Sequence, residues 1–299
     1  MPRVGRVEDR EIVAERLLRS AARASFDPVT DVDWQAPPEP AMPYMPWERV
    51  SLYGTPAWER LGFEQRLELS KHELASQMGV GRWLELCLMQ MFMRHVYDLD
   101  PRSAHTEFAL TEVGDETRHS AMFGRLLEKL DTPGYGMPRL FHNMGRLYKA
   151  VGGGPSMWAI FLVGEEVFDR IQREAMNDER VQPLVRSTFR IHVVEEARHV
   201  RYARQELMRS MAGLSRSALA RHRLVAAAVS TTLVDCMIDQ AVYPSVGIPA
   251  KVGRKVARAN PIHQRTRLWM GEKIMPFLTE VGLVEGPGTH LWRAAGLIR

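Results

Sequence analysis

Two short segments of this 299-residue chain repeat one order of metal-binding side chains. The first is Asp115-Glu116-Thr117-Arg118-His119, the second Glu195-Glu196-Ala197-Arg198-His199. On a helix, residues three apart share a face, so each Glu-x-x-His can present a carboxylate and an imidazole to one cation. A single pair means little, because 24 glutamates and 10 histidines supply about one by chance. The repeat is stronger. Each pair has a glutamate 31 positions upstream, Glu85 before Glu116 and Glu165 before Glu196, so the whole unit recurs at an offset of 80. Oxygen and nitrogen donors without a thiolate suit iron or manganese better than zinc or copper(I).

Helices must hold these groups. Strand signals are missing, and helical patterns run over about 63–98, 103–130, 155–178 and 184–212. In an antiparallel hairpin, residues equidistant from the turn sit at one height. The midpoint of 85 and 116 falls between Asp100 and Pro101, and that of 165 and 196 between Arg180 and Val181, both at helix breaks. Hairpins over about 63–130 and 155–212 therefore bring four carboxylates and two imidazoles to the centre of an all-α, ferritin-like helical bundle with additional C-terminal helices. Trp83 to Met93 and Met157 to Val163 are apolar almost all round, which buries Glu85 and Glu165. An unpaired carboxylate there costs several kcal/mol, a penalty that two divalent cations remove. Surface acids and core histidines would explain any one of the six residues, but not their joint spacing.

Six further positions bear on the site. His192 lies one turn before Glu196 and breaks the repeat, its counterpart being Glu112; by position it is equally a ligand or a packing residue. Glu166 rivals Glu165, but the 31-residue spacing selects Glu165. Asp115 and Glu195 each precede a ligand and are placed to accept the outer nitrogen of the other half's histidine, with plain surface exposure as the alternative. Arg118 and Arg198 either neutralise those acids or pack.

The rest of the chain bounds the function. A Pro-rich N-terminal segment, 1–62, packs on a single domain over 63–299; it holds a short amphipathic helix within 1–22 and an irregular stretch from Pro28 to Pro56. Two more helices are expected over about 216–243 and 259–280, joined by a glycine-rich linker. Hydrophobic residues make up 45% and charged residues 25%, the mix of a globular protein. Cys87 and Cys236 form no disulfide framework, which fits a reducing cytoplasm. No signal peptide and no apolar run of about 18 residues is read, so no membrane span is expected. The net charge is +4. The basic run Lys251, Arg254, Lys255, Arg258, Arg265, Arg267 has no interleaved aromatics, and no nucleic-acid partner is expected. Gly152-Gly153-Gly154 follows no strand and is read as a loop, and no nicotinamide or flavin motif occurs, so electrons must come from an external donor.

With His192 added, the pattern Glu85, Asp115-Glu116-x-x-His119, Glu165, Glu195-Glu196-x-x-His199 resembles the p-aminobenzoate N-oxygenase family of non-haem diiron oxygenases. Val50-Ser51-Leu52-Tyr53-Gly54-Thr55-Pro56-Ala57-Trp58-Glu59-Arg60-Leu61 and Leu110-Thr111-Glu112-Val113-Gly114 are similar to it as well. The resemblance covers about 45–245. It implies two iron ions, manganese being the other candidate, with Glu85, Glu116 and His119 on one and Glu165, Glu196, His199 and a seventh ligand, His192, on the other. It implies a homodimer, an external reductase, and use of O2 to convert a small aryl amine to hydroxylamine, nitroso or nitro products in antibiotic-type secondary metabolism. A diiron hydroxylase or desaturase acting on carbon is the main alternative, and a non-catalytic iron store another. A ribonucleotide-reductase subunit would want a tyrosine where Phe123 stands, and a manganese catalase would share the bundle. Met89, Phe92, Met93, Met157, Trp158 and Phe161 either line a substrate cavity or form plain core; Arg94 is a further basic candidate for a substrate carboxylate, left unassigned.

Overall fold

The computed structural model describes residues 7–299, so residues 1–6 of the N-terminal segment lie outside it. Among the described residues the fold is all α, without strands. In chain order the helices are α1 (Arg10–Ala21), α2 (Pro56–Glu59), α3 (Phe63–Val96), α4 (Ala104–Leu130), α5 (Arg139–Val151), α6 (Gly154–Asn177), α7 (Pro183–Ser210), α8 (Arg216–Cys236), α9 (Ala250–Ala259), α10 (Pro261–Gly271), α11 (Ile274–Glu280) and α12 (Thr289–Ala294).

Local chemistry sets the boundaries. Ser103 caps α4 by accepting from the Thr106 amide, and Asp131 ends the helix in the left-handed region at φ 47°. Pro155 and Pro183 sit in the first turns of α6 and α7, where a missing N–H costs nothing. The two hairpins, α3 with α4 and α6 with α7, pack into one bundle, and α1 lies across α4 and α7. Their shared core includes Phe92, Phe108, Trp158, Phe161 and Tyr202. A smaller core gathers Met45, Val50, Leu52 and Trp58 of the Pro-rich segment against Val242, Tyr243 and Val246.

Outside the bundle the structure corrects the sequence reading. Between 130 and 155, where the sequence reading places no helix, the structure has α5, whose Leu140, Met144, Leu147 and Val151 form an exposed apolar stripe. The helix expected to reach residue 243 ends at Cys236, and a 3-10 turn over Gln240–Val246 accommodates Pro244. The presumed linker contains α9. Asn260 ends α9 and caps α10 by accepting from the Ile262 amide, and the segment expected over 259–280 is two helices, α10 and α11. Three members of the basic run, Arg254, Arg258 and Arg267, converge on Asp235 at 2.5 to 3.1 Å. One stretch, Arg216–Val246, has the length and hydropathy of a membrane span. It carries Ala226, Ala227, Leu233 and Val234 into the core, where α8 packs on α6 and α12.

Candidate metal centre

Equal heights in the two hairpins bring the repeated residues together. Glu85, Glu116, His119, Glu165, His192, Glu196 and His199 are all at most 2% exposed. Donor atoms within 4.8 Å of one another form three overlapping sets: Glu85, His119 and His192; Glu116, Glu196 and His199; and Glu165, His192 and Glu196. His192 belongs to two of them. Its Nε2 lies 3.3 Å from Glu85 and 3.7 Å from Glu196, so it sits between the halves rather than on the second alone.

The two motif histidines are oriented alike. His119 turns Nδ1 inward, 3.2 Å from Glu116, and directs Nε2 outward to Glu195 at 2.8 Å. His199 turns Nδ1 to Glu196 at 2.9 Å and Nε2 to Asp115 at 3.1 Å. Each half's acid thus accepts the outer N–H of the other half's imidazole. That bond fixes the tautomer and leaves an Nδ1 lone pair facing the centre. The acids are held in turn. Arg198 donates to Asp115 at 3.1 Å and to the Ala24 carbonyl, and Arg118 reaches Asp115, Glu195 and Ser25. The Phe26 amide donates to Glu195 at 3.0 Å. Burial opposes ionisation of Asp115, yet His199, Arg198 and Arg118 hold its carboxyl well below the usual range.

The inner electrostatics call for cations. Burial, and then the fields of Glu196, Glu116 and Glu85, push Glu165 far above the usual carboxylate range. Burial works against charging His119 and His199, but the surrounding carboxylates outweigh it and raise both. Glu116 Oε1, Glu196 Oε2 and both nitrogens of His192 have no hydrogen-bond partner. Buried groups of this kind are costly unless something else engages them. Four carboxylates and three imidazoles, with no thiolate, are a donor set that two divalent iron or manganese ions satisfy.

Residues 7–282 match the family described as p-aminobenzoate N-oxygenase AurF. The chain belongs to that family. Its relatives include the uncharacterized proteins Rv0885 and MT0908 of Mycobacterium tuberculosis and Mb0909 of Mycobacterium bovis, each 24% identical over 289 residues, covering 93% of this chain and 84% of theirs. The family is one of diiron oxygenases, and the buried Glu and His groups fit that metal requirement.

Other residues fall away from the centre. Glu166 points outward and pairs with Arg204 at 2.6 Å. Arg94 is spent on the carbonyls of Lys149 and Gly152. The cavity beside the centre is lined by Met78, Gly81, Leu84, Phe123, Phe168 and Gln172 and holds about 10 Å³. None of Met89, Phe92, Met93, Met157, Trp158 or Phe161 borders it, and Met93 faces solvent. Sequence reasoning missed Ser120, which donates to Glu85 at 2.9 Å, and Gln172, whose buried Oε1 has no partner. Ser120 directly follows His119, and that adjacency was its only signal.

Proposed function

We propose that this chain is a diiron oxygenase that uses O2 to oxidise the nitrogen of a small aryl amine. The observation that carries this reading is the third imidazole, His192, set between the two halves of a repeated Glu/Glu-x-x-His site in a chain of this family. Bound iron would supply the activation of dioxygen. Glu85, Glu116, Glu165, Glu196, His119, His192 and His199 would hold it, with Asp115 and Glu195 fixing two of the imidazoles. Electrons come from an external reductase.

The surroundings favour a neutral amine. Among the described residues, no Lys or Arg borders the small cavity beside the centre. The free Gln172 oxygen is placed to accept an amine N–H and hold the nitrogen near Glu165 and His192. A space of about 10 Å³ admits no ring, so the wall must move. Leu84 is the wall residue that also borders an apolar cavity of about 330 Å³, lined by Trp83, Leu88, Phe141 and Met144 under α5. That cavity gives an apolar ring a route of approach. The exposed stripe of α5 offers the apolar surface that a homodimer would cover.

The test is to load the metal-free protein anaerobically with ferrous iron, count metal per chain, then admit oxygen with a panel of aryl amines. Two irons per chain and mass gains of oxygen on nitrogen are expected. Products hydroxylated only at carbon would transfer the assignment to a carbon oxygenase. Thousands of irons per assembly would indicate a store.

A further inference from the structure

The core between the metal centre and one end of the bundle carries more polarity than packing requires. Glu116 meets His199 at 3.3 Å while His105 meets Tyr202 at 3.1 Å, so α4 and α7 run antiparallel. The face of α4 that bears Glu116 continues through Glu112 to His105, about 16 Å along the axis at 1.5 Å per residue. The matching face of α7 runs from His199 through Tyr202 to Glu206. Glu112, His105, Tyr202 and Glu206 are each at most 2% exposed. They lie among Phe92, Phe108 and Trp158, whose ring centroids are 5.2 to 6.2 Å from that of Tyr202. Apolar side chains would fill this volume at lower desolvation cost.

These groups follow one another along the two helices, with direct contact between His105 and Tyr202. Tyr202 Oη lies 3.1 Å from His105 Nδ1. The rings of His105 and His95 meet edge to face at 5.7 Å, and an atom of each lies within 4.8 Å of the other and of the Glu206 carboxylate, a gap that one water spans. His95 borders a surface cavity of about 440 Å³ together with Arg10, Glu206 and Arg209. At the inner end, both carboxylate oxygens of Glu112 are buried without a partner. Burial above all holds Glu112 protonated, and it keeps His95 and His105 neutral. The trio His95, His105 and Glu206 has the spacing of a cation site, but Arg10 and Arg209 already hold Glu206 at 2.7 to 3.2 Å, and their charges repel a metal ion.

We propose that His95, His105, Tyr202 and Glu112 form a path that carries protons from the surface cavity to the metal centre. The proposal rests on the oxygenase reading, because reducing dioxygen to water consumes protons that a dry site lacks. A proton taken up at His95 crosses by water to the Nε2 of His105. His105 passes its Nδ1 proton to Tyr202 Oη as Tyr202 gives its hydroxyl proton by way of water to Glu112, which it does not touch directly, and Glu112 releases its own at the centre. Each group then regains its starting charge, His105 recovers its Nδ1–H tautomer when its ring turns, one proton has crossed, and no electron has moved.

Glu112→Gln and Tyr202→Phe break the path while keeping side-chain shape. In the metal-free protein, infrared difference spectra should show a protonated-carboxyl band that Glu112→Gln removes and Tyr202→Phe shifts. In ferrous-loaded protein, both variants should still bind two irons but consume oxygen at least about 100-fold more slowly, the low end of what positioned proton transfer contributes, with a larger slowing in D2O. Imidazole should restore rate to His105→Ala through the surface cavity. Wild-type oxygen consumption in both variants, or a carboxyl band indifferent to Tyr202→Phe, would overturn the path. If even the wild type consumes no oxygen, the oxygenase reading fails, and the infrared shift alone decides whether the four residues are coupled.

Discussion

The crossed acid–imidazole bonds make a quantitative prediction. In Asp115→Asn the side chain keeps its shape but must face three donors, the His199 Nε2–H, Arg198 and Arg118, with one carbonyl oxygen and an NH2 group that can only donate. Either the imidazole or a guanidinium loses its acceptor. In Glu195→Gln the single remaining oxygen must serve His119 or the Phe26 amide, which now use separate carboxylate oxygens. Each change therefore removes a charge-assisted bond from an imidazole whose lone pair must aim at the metal. Loss of such an outer partner costs about 10- to 100-fold in metal affinity, or about 1.4 to 2.7 kcal/mol. The asymmetry is specific. Asp115→Asn should weaken the ion beside His199, and Glu195→Gln the ion beside His119, so each variant should show one weakened step and one near-normal step. Anaerobic ferrous titration followed by calorimetry, with circular dichroism to check the fold, separates the two steps. Two unaltered steps in both variants would mean that helix packing alone aims the imidazoles, and the positioning argument would be wrong.

Other outcomes follow from the same structure. His192→Ala should still bind about two metals, more weakly, but lose amine oxidation; full activity would remove the argument from the third imidazole. Saturating ferrous or manganous ion at about 100 times its dissociation constant should stabilise the fold by about 2.7 kcal/mol and raise the melting temperature by several degrees, whereas an unmoved thermal scan would deny a folded-state metal site. Glu73 tests burial away from the centre. Desolvation pushes its carboxyl up to about 7 against hydrogen bonds from Ser51, so the folded state binds a proton that the unfolded chain, near 4.5, releases. Its contribution is therefore complete below about pH 4.5 and lost as pH rises through 7, roughly 3 kcal/mol at about 1.36 per unit. Glu73→Gln should flatten the fall in urea stability between pH 5 and pH 8; parallel curves for variant and wild type would refute it.

The bundle was legible because its information is periodic. An offset of 80 and two midpoints at helix breaks place Glu85, Glu116, Glu165 and Glu196 at one level before any coordinate is known. The fold class and the family followed from the same residues. Glycines and prolines misled elsewhere. Gly152 to Gly154 give the stretch after 130 the signature of a loop, while the apolar spacing of Leu140, Met144, Leu147 and Val151 is that of the helix α5. Past Cys236, a proline can sit inside a 3-10 turn, as Pro244 does, or begin an α-helix, as Pro261 does, and local pattern alone does not separate these uses. Cavity walls were harder still. Met78, Phe123, Phe168 and Gln172 come from three helices, α3, α4 and α6, and only their packing brings them to one space.

The hold of residues 24–26 on the outer edge of the centre has a practical consequence. Ala24, Ser25 and Phe26 give a carbonyl, a hydroxyl and an amide to the groups that aim the imidazoles. Trimming the chain back to the start of α3, as a minimal-bundle design would suggest, strips away that latch and lets solvent compete for Asp115 and Glu195. Expression variants with shortened leaders should therefore be judged by their iron content as well as by yield.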